Sequence, residues 1–340
     1  MERPEWMTDE DWKVVQNLPA SLQQASINLR SAMIERRIVD EATEQAAAIR
    51  EEVAAMTGPE QVPLAVWCGY PTDLTRCSPF FPMNVRELGK RDYLEGFLIT
   101  SANWGEITYT GPKLSTYEED ALMALLAVLD NQSHHRQIVS EEGRKTYTYS
   151  GPVLPLLKLL GYSSPNNKDY QRLLRSLKRL TVAGVELSIT TGKTKSGKRR
   201  TPRIMQMSSM LTNVYWDEEK KELSVTVNPF FYETYYAGTI TLVDVLKRVS
   251  LKGVIAKSLY RFVQSHRANP VFAGHFLTLA DALNMDREQP AKKTRQMLKT
   301  AISELIRQGV LTRKSRFVEQ DIIRLERTSD TLPKSLEKFV

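Results

Sequence analysis

Between Gly151 and Met210 the apolar positions change period, and each change marks an element. The run GPVLPLLKLLGY reads as a short Leu-rich helix. The Ser163-Ser164-Pro165-Asn166-Asn167 stretch is turn chemistry, with Asn166 or Asn167 able to cap a second helix. In that second helical segment Tyr170, Leu173, Leu174, Leu177 and Leu180 recur at helical spacing on one face, while Lys168, Arg172, Arg175 and Arg179 line the other. β-Branched residues around Ile189 and Ile204 then flank a hairpin tip carrying Lys193, Lys195, Lys198, Arg199, Arg200 and Arg203. Helix, turn, cationic helix and cationic ribbon predict a winged helix, whose second helix enters a groove while the wing grips phosphates.

A Lys/Arg-rich helix face is commonly no more than a solvated surface, so the helix alone does not select a partner. The hairpin does more. No acid occurs between Glu186 and Asp217, and six cations at one tip repel one another unless a polyanion neutralises them.

The pattern then repeats. A helix is expected from near Ser250 to about Ser265 with Leu251, Ile255, Leu259 and Phe262 inward. A short helix around Thr278–Leu283 and a turn at Asn284–Gln289 come next. Pro290 opens a longer helix at the first-turn position that suits proline, and Gly309 ends it. Its apolar row is Met297, Leu298, Ala301, Ile302, Leu305 and Ile306, and its polar face carries Lys292, Lys293, Arg295, Gln296, Lys299 and Ser303. A wing-like strand pair through Leu311, Phe317, Ile322, Ile323 and Leu325 places Arg313, Lys314 and Arg316 at its tip. Lys and Arg supply phosphate affinity whatever the sequence, whereas Gln and Arg near the start of a recognition helix can pair base edges. The second long helix is therefore the better candidate for base reading, although Gln296 is equally a good helix former on a wet face.

Upstream, Pro19 to Met56 is a long helical signal without internal Pro or Gly. Ala42, Ala46, Ile49, Val53 and Met56 alternate in steps of four and three, which suits either a short coiled-coil seam or a surface helix. The thin Ala positions favour the surface helix. Residues 59–95 read as a proline-rich connector with Trp67, Phe80 and Phe81 tucked onto a neighbour. Strands are expected around Gly96–Thr100 and Glu106–Thr110. Ser115 to Glu118 forms a capping box for a helix with the stripe Leu122, Leu125, Leu126 and Leu129, which should pack against the helix-turn-helix. A strand pair around Asn213–Trp216 and Leu223–Asn228 closes this first domain. The expected architecture is α+β and helix-rich: a helical extension and connector over residues 1–95, tandem winged-helix domains over 96–236 and 237–327, and a tail over 328–340.

Composition sharpens the partner. Formal net charge is +7, but residues 1–110 hold 10 basic and 17 acidic side chains, and the remainder 37 and 23. The C-terminal two-thirds is thus the part suited to nucleic acid. Cys68 and Cys77 are the only cysteines and there are four histidines, so no zinc spacing can be assembled; the cysteines read as small reduced residues of a cytoplasmic protein. The acidic start MERPEWMTDEDW has no apolar run, and neither secretion nor membrane insertion is expected. Gly192 to Arg199 follows phosphate-loop spacing until Arg199 stands where Ser or Thr must hold magnesium, so nucleotide hydrolysis is not expected. His134-His135 lacks the spacing of a metal-dependent nicking site. No catalytic set, cofactor or metal is expected, and the chain does not read as an enzyme.

ITYTGPKLSTYEEDALMALLAVLD (107–130), the helix-turn-helix and ribbon at 152–207, ELSVTVNPFFYETYYAG (222–238) and VSLKGVIAKSLYRFVQSHR (249–267) together resemble the iteron-binding replication initiators of broad-host-range plasmids, the IncP-type and IncQ-type proteins above all. The resemblance covers roughly residues 80–327 in order, spacing and character, and the acidic N-terminal third departs from it. It implies a bacterial tandem winged-helix initiator that binds direct repeats in double-stranded DNA, helps melt an adjacent A·T-rich segment and recruits a host initiator and the replicative helicase. It also implies a monomer–homodimer equilibrium. On this resemblance Lys292–Ser303 reads bases, while Lys168–Arg179 and the two wings grip the backbone. A winged-helix repressor without a replication role, autoregulatory or not, needs the same DNA-reading equipment and is the alternative.

Overall fold

The computed structural model of the 340-residue chain describes residues 7, 9–17, 23, 67–76, 78–84, 87–89, 91–102, 105–129, 135–139, 145–189, 204–228, 240–266 and 269–328. The chain divides into two compact units, Met1–Ala47 and Ala48–Val340. In the first unit, helix α1 (Asp9–Gln16) contributes Val15 to a small apolar cluster with Met7 and Trp12. The long helix expected over Pro19–Met56 lies outside the described residues, apart from Gln23.

The second unit begins with β1 (Trp67–Pro71), α2 (Thr72–Arg76) and β2 (Phe80–Phe81), then β3 (Tyr93–Ala102), β4 (Gly105–Pro112) and β5 (Leu114–Ser115). Helix α3 (Thr116–Leu129) precedes β6 (His135–Val139) and β7 (Lys145–Pro152). A helix pair comes after them, α4 (Leu154–Leu159) and α5 (Asn167–Val182), and then β8 (Gly184–Ile189), β9 (Ile204–Ser209), β10 (Leu211–Asp217) and β11 (Glu222–Val227). The remainder comprises β12 (Ile240–Asp244), α6 (Val245–Ser250), α7 (Val254–Gln264), β13 (Val271–His275), α8 (Phe276–Ala282), α9 (Ala291–Arg307), β14 (Arg316–Phe317) and β15 (Ile322–Glu326).

Helix α3 is the centre of this unit. Every residue from Glu118 to Leu129 is buried, far beyond the single Leu stripe read from the sequence. A helix apolar nearly all round is one that other elements surround, and α3 contacts α4, α5, α6, β1 and β7. The capping box forms as expected: Glu118 Oε2 accepts from the Ser115 backbone N–H at 2.8 Å, and Ser115 Oγ accepts from the Tyr117 N–H at 3.2 Å.

The two stretches that end in Gly-Pro before a helix fold alike. Tyr109 and Tyr149 are fully buried near the ends of β4 and β7, and each hydroxyl donates to the carbonyl three residues on, that of Pro112 and of Pro152. Burial raises both phenols above their ordinary range. Gly111, with φ +150°, is required in the first of them: a Cβ there would stand 2.9 Å from the Tyr109 hydroxyl and 3.2 Å from the Val182 carbonyl.

The strands expected at 96–100, 106–110, 213–216 and 223–228 are all present. Their partners hold the larger finding. The helix pair α4–α5 is followed by the expected antiparallel hairpin β8–β9, but β8 pairs with β4, giving a sheet in the order β3-β4-β8-β9. The strand entering the helix pair, β7, pairs instead with β11, in the order β10-β11-β7-β6. The hairpin that closes back on the helix pair is thus β10–β11, whose turn is Glu218–Lys221. The cationic hairpin belongs to a different sheet. Its tip, with Lys193, Lys195, Lys198, Arg199, Arg200 and Arg203, lies outside the described residues, as does the stretch with phosphate-loop spacing.

The C-terminal part repeats the strand, helix pair and returning hairpin, among the described residues without a counterpart of β6 or of the β8–β9 hairpin. β13 leads into the helix pair α8–α9, and the hairpin β14–β15 returns so that the sheet order is β13-β15-β14. Two details differ from expectation. The helix expected from near Ser250 to about Ser265 begins at Val254, as α7; Leu251–Gly253 separate it from α6, which was not expected, and there the Glu304 carboxylate accepts from the Lys252 and Gly253 N–H groups at 2.6 and 3.2 Å. Pro290 is the N-cap of α9, one place before the first helical residue. Gly309, with φ +67°, terminates α9 as expected.

Residues 67–84 are more than a connector. β1 pairs antiparallel with β12, Cys68 opposite Val243, and Cys68, Tyr70, Leu74 and Phe80 are all but completely buried. Pro63 ahead of this strand and Pro71 as its last residue hid it, and its pairing partner lies far away along the chain.

Candidate nucleic-acid interface

Helix α5 starts on a reciprocal cap. Asn166 Oδ1 accepts from the Lys168 N–H at 2.9 Å, and Asp169 accepts from the Asn166 N–H at 2.9 Å. Leu173, Leu177 and Leu180 are buried, and the helix packs on α3 and β10. That orientation leaves Lys168, Arg172, Arg175 and Lys178 on the exposed face. Arg172 lies over the Tyr117 ring, 3.9 Å from its centroid, and donates to the Tyr162 hydroxyl at 3.4 Å. Arg175 Nε donates to the Gln171 carbonyl at 3.2 Å.

Arg179 departs from the row. Its guanidinium donates to Glu118 at 2.9 Å and its side chain is 29% exposed, so it is held toward the core and not in the solvent-facing row with Arg172 and Arg175. Glu118 is completely buried and fully subscribed. Its two oxygens also accept from both Arg91 Nη atoms at 2.9 and 3.1 Å and from the Ser115 and Ser176 hydroxyls at 2.6 and 3.1 Å. Burial pushes this carboxyl up, but the Arg91 hydrogen bonds and charge, with those of Ser115, outweigh it and hold the group below its ordinary range.

Helix α9 buries Thr294, Leu298, Ala301, Ile302 and Leu305, and α7 and α8 contact it. Lys292, Lys293, Gln296, Lys299 and Ser303 are on its outward side. Ser303 Oγ bonds back to the Lys299 carbonyl at 2.9 Å. Arg295 is the exception, turned into an ion pair with Asp321 at 2.6 Å. Arg313, Lys314 and Arg316 are exposed, but the first two form the turn before β14 and the third is its first residue. The true tip is Val318–Asp321, so these cations stand at the near end of the hairpin. Lys314 reaches Glu326 at 3.5 Å. Among the described residues no carboxylate pairs with Lys168, Arg172, Arg175, Lys292, Lys293 or Lys299. Two helices thus present unpaired cations, the arrangement that exchanges condensed counterions for phosphates.

Sequence reasoning missed the polar cluster beneath these helices. Glu119 accepts from Arg248 Nη2 at 2.6 Å, Arg261 Nη1 at 3.0 Å and the Tyr70 hydroxyl at 3.2 Å. Asp120 accepts from Arg248 Nε and Lys257 Nζ, both at 2.6 Å. Arg248 is completely buried; desolvation alone would lower its pKa, and the Glu119 and Asp120 charges outweigh it and raise it. Three consecutive acids opening an otherwise apolar helix were the available signal, since acids there must be paired if they are buried. Among the described residues no group of three or more His, Cys, Asp or Glu could hold a metal ion, and no helix is long and apolar enough to cross a membrane.

No family model matches the sequence, and no curated protein matches it either. The mixed α+β fold is nevertheless one already seen. A crystal structure of selenomethionine derivatives of domain 2 and domain 3 of RctB is similar to this chain with a TM-score of 0.50 and 10% sequence identity, over 76% of this chain and 99% of that one. A second crystal structure, RctB domains 2–3 spanning RctB residues 155–483, gives a TM-score of 0.45 at 11% identity over 76% and 97%.

Proposed function

We propose that this chain is a replication initiator that binds double-stranded DNA through two winged-helix modules. One module is α3, β7, α4, α5, β10 and β11, and the other is α7, β13, α8, α9, β14 and β15. The observation that carries the reading is a shared core of connectivity: a helix, a strand that enters a helix pair, and a returning hairpin whose second strand pairs with that entering strand, with β6 and the β8–β9 hairpin as additions in the first copy. In both copies the longer helix of the pair exposes unpaired cations. Fold likeness to domains 2 and 3 of RctB, a replication initiator, supports the same reading, as does the sequence resemblance to iteron-binding initiators.

On this reading α9 reads bases through Lys292, Gln296 and Ser303, while α5 holds the backbone through Lys168, Arg172 and Arg175. The modules occupy successive major grooves, about one helical turn apart, on a repeat of roughly 20 base pairs. The finer activities are binding to directly repeated origin sequences, opening of an adjacent A·T-rich tract and recruitment of host replication proteins. None of them calls for catalysis by this chain.

Footprinting the full chain on the DNA that flanks its own coding region, with permanganate to detect opened bases, tests the proposal. Protection of several tandem direct repeats with reactive thymines beside them is expected. A single protected inverted repeat over a promoter, without opened bases, would replace the initiator with a repressor.

A further inference from the structure

By its place in the first turns of α9, Arg295 belongs with the groove-facing residues, yet its guanidinium is engaged elsewhere. Nη2 lies 2.6 Å from Asp321 Oδ1, and the guanidinium carbon is 4.8 Å from the centroid of the Phe276 ring. The side chain is 22% exposed and Nε is buried without a hydrogen-bond partner. Asp321 closes the tip of the β14–β15 hairpin, and its carbonyl accepts from the Phe276 N–H at 2.9 Å. Phe276 opens α8 and lies 6.0 Å from Phe317 on β14. Lys299, one turn after Arg295 on α9, holds its Nζ 5.6 Å from the Phe317 ring. The long helix, the start of the short helix and the hairpin therefore meet around one guanidinium. Arginine suits this place because its planar group can donate to a carboxylate at its edge and lie on a ring with its face.

We propose that Arg295 is a positioning residue: clamped between Asp321 and Phe276, it sets the angle of the β14–β15 hairpin against α9 and does not itself touch nucleic acid. This rests on the reading of α9 and its hairpin as a DNA-binding surface. The pairing has a second effect. It neutralises an acid that would otherwise stand beside the cationic face and repel phosphate.

Two measurements on the full chain test it. In native-state amide exchange, Arg295→Met, which loses both the ring contact and the ion pair, should accelerate exchange in residues 316–325 about three- to thirtyfold, Asp321→Asn should do so by up to about fivefold, and the double variant should be no faster than the quicker single one. In fluorescence anisotropy with a mixed-sequence duplex of about 30 base pairs, roughly three helical turns, the double variant removes the pair without changing net charge. It should bind about two- to tenfold more weakly through a less ordered hairpin, with the logarithmic salt slope of the unaltered chain. Lys168→Met, which removes a backbone contact on α5, should by contrast reduce that slope by about 0.9. Unchanged hairpin exchange in Arg295→Met, or a slope for the double variant reduced as far as that of Lys168→Met, would overturn the proposal. Were the unaltered chain to bind no duplex, the DNA-binding reading would fall, and the exchange measurement would still decide the positioning role.

Discussion

Glu118 shows how one residue can serve three structural demands. Its place three residues after Ser115 made it legible as half of a capping box, but the same carboxylate also receives Arg91 and Arg179 inside the protein. Local spacing reports the first role, because it involves neighbours in sequence. The other two depend on which arginines the fold brings near, so Arg179 looked like one more surface cation. Glu118→Ala leaves Arg91 and Arg179 without their buried carboxylate and should lower the unfolding free energy by about 3–5 kcal/mol, read from a urea melt. The folded pKa of Glu118 lies below its unfolded value, so its contribution is fully present above the unfolded value and is lost as pH falls through the lower folded one. Stability of the unaltered chain should therefore decline on the acid side, and in Glu118→Ala that decline should be shallower. Equal acid slopes in the two proteins would contradict the assignment.

Helices α5 and α9 were legible as elements because their apolar and cationic rows keep a helical period over about four turns. Capping and terminating residues were legible too, since Asn166 and Gly309 act on the backbone beside them. Asn166→Ala should cost about 0.5–2 kcal/mol and should speed amide exchange first in the opening turn of α5. If exchange rose uniformly along the helix, the cap would not be a local device. Strands were located in part, since β3, β4, β8–β11 and the β14–β15 pair were expected but β1, β6, β7 and β13 were not, and pairing was less legible still. β8 and β9 do form the antiparallel hairpin expected of them. Nothing in their alternation reveals that β4, rather than β7, lies alongside. The Arg313–Arg316 cations were placed on the right hairpin but at the wrong end, because a two-residue strand such as β14 leaves almost no periodic trace.

Across the second unit, the first turn of α3 joins elements more than a hundred residues apart. Glu119 and Asp120 hold Arg248 on α6 and Lys257 and Arg261 on α7, all with little or no exposure. β1 and β12 add a backbone ladder between the beginning of the unit and the start of its C-terminal part. These contacts tie the elements of the two proposed modules to a common core. Arg248→Met leaves the Glu119 and Asp120 carboxylates short of a buried partner, and a loss of about 3–5 kcal/mol is expected. The loss should appear as one cooperative transition at lower denaturant, followed by fluorescence of Trp216 and by amide exchange in α9. Early melting of α9 with Trp216 unaffected would show that the cluster does not couple the two parts.

By itself, the sequence determined the existence and kind of most elements, the apolar face of each long helix, the caps, and the concentration of positive charge in the C-terminal two-thirds. These depend on residues within a few positions of one another, where period and turn chemistry carry the information. Tertiary structure alone decided which strands share a sheet, that 67–71 is a strand at all, and which cations stay in solvent. Arg172 and Arg179 stand two turns apart in the same helical row, yet one remains exposed and the other faces a buried carboxylate. That difference arises because desolvated charge must find a partner wherever the chain brings one, and no local pattern encodes where that will be.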